Sequence, residues 1–235
     1  MYNSLIDIPL EVSKKYPDRV SHRFLINKAK VDKTYSEFVS DFQALTLGFN
    51  HIGVNEGDHL SLFVNNRYEW SVTDFSLQSL GAVSVPRGSD TSPKEAKFIY
   101  EHSDSTYLIL EYGRQLNDLE DIVKLTKKVF IINDFDIPQK YKSKVILYKE
   151  LFKIGKGLCQ NSNLYPSLLS RVDFKSIVSI IYTSGTTGNP KGVVLNQGQF
   201  VENVLMTAPR MEINESIGEV SVVILPSWHV FERTF

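Results

Sequence analysis

Between residues 58 and 134 the chain alternates two kinds of segment, and this alternation narrows the possible architectures more than any other feature. Short aliphatic or β-branched runs are DHLSLFVNN (58–66), AVSVP (82–86), STYLILE (105–111) and VFIIND (129–134). Between them RYEWSVTDFSLQSLG, SPKEAKFIYEHSD and LNDLEDIVKLTKK carry apolar residues three or four apart, the spacing of an amphipathic helix. Gly81 closes the first of these helices and Pro93 opens the second near its first turn. A helix between two strands returns the chain to the same end of the sheet. Strand–helix repetition with short links therefore predicts parallel strands covered by helices on both faces. The expected fold class is α/β, with a mostly parallel sheet flanked by helices.

The flanking segments extend this pattern. Residues 4–16 read as a short helix, and SHRFLINKAKVDKTYS as two strands about a polar turn at Asn27–Lys30. Thr34 followed three residues later by Glu37 is a capping-box start. Phe38, Phe42, Leu45 and Phe49 supply the apolar stripe, and Gly53 the stop. Residues 133–176 read as irregular, with KVILY a strand and GKGLCQNSNLYPS (155–167) a loop. Further on, SIVSIIY, GVVL and EVSVVILP (219–226) read as strands and NQGQFVENVLMTAP (196–209) as a helix. In SWHVFERTF the residues Trp228, Phe231 and Phe235 begin an apolar stripe without completing it, so the expectation is a chain that stops inside a fold. Exposed sheet edges in such a chain favour self-association.

Composition removes several classes of function. Of 235 residues, 42% are hydrophobic and 23% charged, ordinary for a globular protein, and the net charge of −1 offers nothing to a nucleic acid. A single cysteine, Cys159, forms neither an internal disulfide nor a metal cluster, which fits a reducing compartment. His22, His51, His59 and His102 have no ligand spacing. The N-terminus carries Asp7 and Glu11 and breaks at Pro9, unlike a secretory signal. No apolar run approaches the ~20 residues of a membrane span. The expected location is cytoplasmic, with peripheral contact at a membrane surface left open.

One segment is not explained by architecture. IIYTSGTTGNPKGVVL (180–195) starts and ends as a strand but holds between them a run of glycines and hydroxyl side chains closed by Pro190, Lys191 and Gly192. Glycine-rich backbone lets amides converge on an anion, hydroxyls add donors, and a lysine adds a mobile positive charge. The set reads as a cradle for a polyphosphate. It is not a G-x-x-x-x-G-K-S/T loop, because Lys191 follows proline, precedes glycine, and leads into a strand rather than a helix. A plain turn of two to five residues would gain nothing from four hydroxyls and a lysine.

YTSGTTGNPKGVV (Tyr182–Val194) resembles the signature loop of the AMP-forming adenylating superfamily, which includes acyl-CoA synthetases, luciferases and peptide-synthetase adenylation domains. ILPSWHVFERTF resembles a segment of long-chain acyl-CoA synthetases. GVNEGDHLSLFVNNRYEW and SLGAVSVP resemble that family's N-terminal region, so the similarity covers essentially the whole chain. The resemblance implies the incomplete N-terminal domain of the acyl-adenylate-forming fold. In it, 1–175 would be a first α/β portion and 176–235 the start of a nucleotide-binding portion, with the C-terminal domain absent. It implies a carboxylate attacking the α-phosphate of ATP, then coenzyme A as cosubstrate displacing AMP. ATP and a fatty acid would be the ligands and Mg²⁺ the metal.

By position, Thr183, Ser184, Gly185, Thr186, Thr187, Gly188 and Lys191 would bind the nucleotide, and Thr183 would also reach the metal. Lys191 and His229 would be catalytic, with His229 near the carboxylate and α-phosphate. The family's Tyr-Gly-x-Thr-Glu block, its ribose-binding Asp and its distal catalytic lysine have no counterpart in this sequence. The implied function is therefore the N-terminal fragment of a long-chain fatty-acid–CoA ligase, inactive alone. The alternative is a non-catalytic module that binds nucleotide or a partner protein.

Overall fold

The computed structural model describes residues 2–133, 135, 137–183, 190–210, 220–227 and 229. After helix α1 (Asp7–Lys15), strands β1 (Val20–Ile26) and β2 (Ala29–Thr34) form an antiparallel ladder of their own. Their two-residue turn, Asn27 and Lys28, takes φ of 49° and 67°, the left-handed pair whose twist matches a tight hairpin. Helix α2 (Tyr35–His51) starts on the expected capping box. The Glu37 amide donates to Thr34 Oγ1 at 3.2 Å, and the Thr34 amide donates to Glu37 Oε2 at 2.8 Å.

The alternating region folds as its pattern requires. It runs β3 (His59–Phe63), α3 (Tyr68–Leu80), β4 (Val83–Arg87), α4 (Pro93–His102), β5 (Tyr107–Tyr112), α5 (Gln115–Asp118), α6 (Glu120–Leu125) and β6 (Val129–Asn133). Gly81 ends α3 at φ 73°. LNDLEDIVKLTKK forms two short helices broken at Leu119 instead of one. The chain continues through β7 (Val145–Leu147), α7 (Tyr148–Leu158), α8 (Leu164–Leu169), β8 (Ile177–Thr183), β9 (Lys191–Asn196) and α9 (Gln197–Thr207).

Among the described residues the main sheet has seven strands in the order β7-β6-β5-β3-β4-β8-β9, all parallel except the β8–β9 pair. Period-two alternation sorts its side chains into two cores. Leu60, Leu62, Tyr107, Ile109 and Phe130 pack with α2, α3, α7 and α8 on one face. Phe63, Leu108, Leu110, Val129 and Ile131 pack with α4, α5 and α6 on the other.

Two further expectations are corrected. Residues 148–158 and 164–169 are helices α7 and α8 and not irregular chain or loop. At the α2–α7 crossing, a Cβ on Gly155 would lie 1.7 Å from the Ala44 carbonyl oxygen, and one on Gly48 would lie 2.4 Å from that of Leu151. The glycines that suggested a loop are the points where the two backbones touch. Residues 220–226, expected as a strand, are not one: no described strand pairs with them, and Val220, Val222, Val223 and Ile224 are exposed. Apolar β-branched composition does not make a strand without a neighbouring strand to pair with.

Candidate functional site

Strands β3, β4 and β8 run in the same direction, with Leu60 beside Ser84 and Ser84 beside Ser179, so all three finish at one edge of the sheet. The antiparallel β9 starts at that edge. Its register sets Lys191 opposite Thr183 and Gly192 opposite Tyr182. Residues directly opposite share a face, and the next pair takes the other face. Tyr182 is buried, packs beside Val85 and Ile99, and shares a 2.7 Å hydrogen bond through its hydroxyl with His102 Nδ1. A Cβ on Gly192 would stand 2.9 Å from Ile180 Cγ2 and 3.3 Å from the Tyr182 ring, so the glycine of the PKG triplet is required by packing.

The opposite face of this ladder carries Thr183 and Lys191, both exposed. Among the described residues, neither the Thr183 hydroxyl nor the Lys191 ammonium has a side-chain partner. A buried tyrosine thus clamps the neck of the loop from below, while a hydroxyl and a cation stand side by side above it. Ser184, Gly185, Thr186, Thr187 and Gly188 lie outside the described residues, as do Trp228, Phe231 and Phe235. The pair at the neck suits an oxyanion ligand. Among the described residues no group of three or more His, Cys, Asp or Glu side chains is disposed to hold a metal ion. A hydroxyl oxygen such as that of Thr183 is of a kind that Mg²⁺ accepts as a ligand.

His229 reaches the same edge by another route. Its amide donates to the Pro226 carbonyl at 2.8 Å, closing a turn. The residues before it rest on the loop that follows β3, through contacts with Asn66. β3 and β8 are two strand spacings apart, about 10 Å, so His229's segment and the Thr183–Lys191 neck flank one rim. That rim includes a switch in chain direction. The connection after β3 leaves for the α3 face and the one after β5 leaves for the α5 face, a place where open α/β sheets bind ligands. Arg67 donates there to Glu69 at 2.8 Å and to Glu111 at 3.3 Å, and the Asn65 amide donates to Glu111 at 3.1 Å. Arg87, at the end of β4, is ion-paired with Glu95. An open cavity of about 310 Å³ lies beside them, lined largely by polar groups including Ser89, Asp90, Ser92 and Gln115.

A sequence model of the AMP-binding enzyme family matches residues 10–235. The chain belongs to the AMP-binding enzyme family. Among curated members it is 28% identical over 244 residues to a chloroplastic long-chain-fatty-acid–acyl-carrier-protein ligase of Arabidopsis thaliana, covering 99% of this chain and 33% of that protein. It is 26% identical over 235 residues to a long-chain-fatty-acid–CoA ligase of Mycobacterium tuberculosis, covering 99% of this chain and 38% of that one. The chain therefore spans about a third of the length of these AMP-binding enzymes. Its fold is similar to the inhibitor-bound N-terminal domain of FACL13 of M. tuberculosis, with a TM-score of 0.74 at 20% identity, covering 99% of this chain and 54% of that one. No helix among the described residues is long and apolar enough to cross a membrane.

Sequence reasoning singled out Thr183, Lys191 and His229 as expectations and gave no reason to single out Asn66. An asparagine at the end of a strand is common turn chemistry, and only the fold reveals what it touches.

Proposed function

We propose that this chain grips the triphosphate of ATP for the activation of a long-chain fatty acid. The fatty carboxylate oxygen attacks the α-phosphorus and expels pyrophosphate. The thiol of coenzyme A then attacks the acyl carbon and expels AMP, leaving a thioester. The observation that carries this reading is the Thr183–Lys191 pair, set on one exposed face at the sheet rim with no side-chain partner among the described residues. Lys191 would neutralise charge on the departing pyrophosphate, and Thr183 would offer its oxygen to phosphate-borne Mg²⁺. Ser184, Gly185, Thr186, Thr187 and Gly188 would complete the cradle. His229 would orient the carboxylate at the α-phosphate. Support for the fatty acid comes from the names of the curated relatives.

Residues 1–235 contain no Tyr-Gly-x-Thr-Glu block, and we expect this stretch by itself to bind nucleotide while turning over little. We place it in the cytoplasm, with its exposed Val193 and Val194 on β9 available for self-association.

The test is calorimetric titration with Mg·ATP, alongside ATP–pyrophosphate exchange with palmitate. Lys191→Ala should weaken ATP binding about tenfold, the loss of one charge-assisted contact of ~1.5 kcal/mol. Binding that ignores Lys191→Ala would sink the cradle. Brisk exchange by the isolated chain would sink the expectation that further groups are needed.

A further inference from the structure

We infer that Asn66 is a positioning residue that holds the His229 segment over the rim of the sheet. The inference rests on the reading of His229 given above for its purpose, though not for its geometry.

Asn66 lies in the loop between β3 and α3, at the switch in chain direction. Its side-chain amide uses both ends. Nδ2 donates to the Leu225 carbonyl at 2.7 Å, while Oδ1 accepts from the Ser227 amide at 2.6 Å and from the Ser227 hydroxyl at 2.9 Å. One planar group thus satisfies a carbonyl and an N–H two residues apart, the service a neighbouring strand would supply. It does so across about 160 residues of sequence, for a segment that forms no strand of its own. The Pro226–His229 turn begins inside this clamp, so the direction in which His229 leaves the surface is set by Asn66.

The distribution of labour supports positioning over stability. Asn66 is exposed and belongs to neither core, whereas its neighbours Asn65 and Arg67 are engaged with Glu111 and the sheet. Removing the Asn66 amide deprives Leu225 and Ser227 of a partner without opening a cavity. The loop after β3 follows a strand held between β4 and β5, so a side chain placed there gives residues 225–227 an anchor on the sheet.

The test uses the chain itself, labelled with ¹⁵N, without nucleotide. Amide exchange at Ser227 and the imidazole signals of His229 are compared in the parent, Asn66→Ala and Asn66→Asp. We expect Ser227 to exchange about fivefold faster in Asn66→Ala, the factor given by one typical net hydrogen bond. The His229 signals should move in that variant while those of His22, His59 and His102 stay in place. Asn66→Asp keeps the oxygen acceptor and should restore Ser227 protection. Unchanged exchange and unchanged His229 signals in Asn66→Ala would overturn the inference. So would a shift of all the histidines in both variants, which would mean that Asn66 supports the fold at large. Failure of the parent to bind ATP would instead sink the proposed function, leaving this readout intact.

Discussion

His22 lies 4.5 Å from the ring of Phe38 and 5.3 Å from that of Tyr68, and burial there lowers its pKa from 6.5 to about 4. The folded chain keeps this imidazole neutral while the unfolded chain protonates it. Between pH 6.5 and 4 the unfolded state binds the extra proton, so stability rises with pH across that window and is lost as acid is added. Replacing His22 with Leu should flatten this limb, as read from urea midpoints at pH 7, 5.5 and 4.5. An identical slope in His22→Leu would assign the acid sensitivity to other groups. At this scale the sequence was readable wherever chemistry is local. The glycines, hydroxyls and lysine of 183–192 stand out as a pattern, and the Thr34–Glu37 cap was visible three residues apart. The burial of His22 and the reach of Asn66 were not readable, because each depends on residues far away in the chain.

Helix α7 shows what element-scale reasoning misses. Its Gly155 and Gly157 lower helix propensity by ~1 kcal/mol each relative to alanine, and together they read as loop. Gly155 sits against the Ala44 carbonyl, so close packing with α2 repays a weak local preference, whereas a Cβ on Gly157 would meet nothing within 4 Å. The two positions should therefore respond with opposite signs. Gly155→Ala should destabilise the protein by ~1–3 kcal/mol through forced separation of the helices, and Gly157→Ala should stabilise it by a few tenths to ~1 kcal/mol. Chemical denaturation measures both, and like-signed changes would refute the backbone contact. The converse case is 220–226, where a strand-like composition pairs with no described strand and Val220, Val222, Val223 and Ile224 stay exposed.

At the scale of the whole molecule, a buried polar network joins the segment before α1 to the start of α9. Ser84 Oγ and Gln78 Nε2 donate to Asp74 at 3.1 and 2.8 Å, Gln197 Nε2 donates to Gln78 Oε1 at 3.3 Å, and the Leu5 amide donates to Gln197 Oε1 at 2.9 Å. Through β4 and β8, Ser179 Oγ adds a 2.8 Å bond to the Ser84 carbonyl. Strands β8 and β9 are thereby tied to the alternating region and to the segment before α1. Gln197→Leu leaves two buried groups unpaired and should cost ~2–4 kcal/mol in a single transition, seen alike by Trp70 fluorescence and far-UV circular dichroism. Two separated transitions would show that β8, β9 and α9 unfold independently. The sequence by itself determined the class of fold and the family motif, because periodicity and a contiguous motif are local properties carried by neighbouring residues. Tertiary structure alone decided that glycine-bearing 148–158 is a helix, that β9 runs against its neighbour, and that Thr183, Lys191 and the His229 segment share one rim. Those outcomes follow from which backbone groups and side chains meet across the sheet, and no short window of sequence contains both partners.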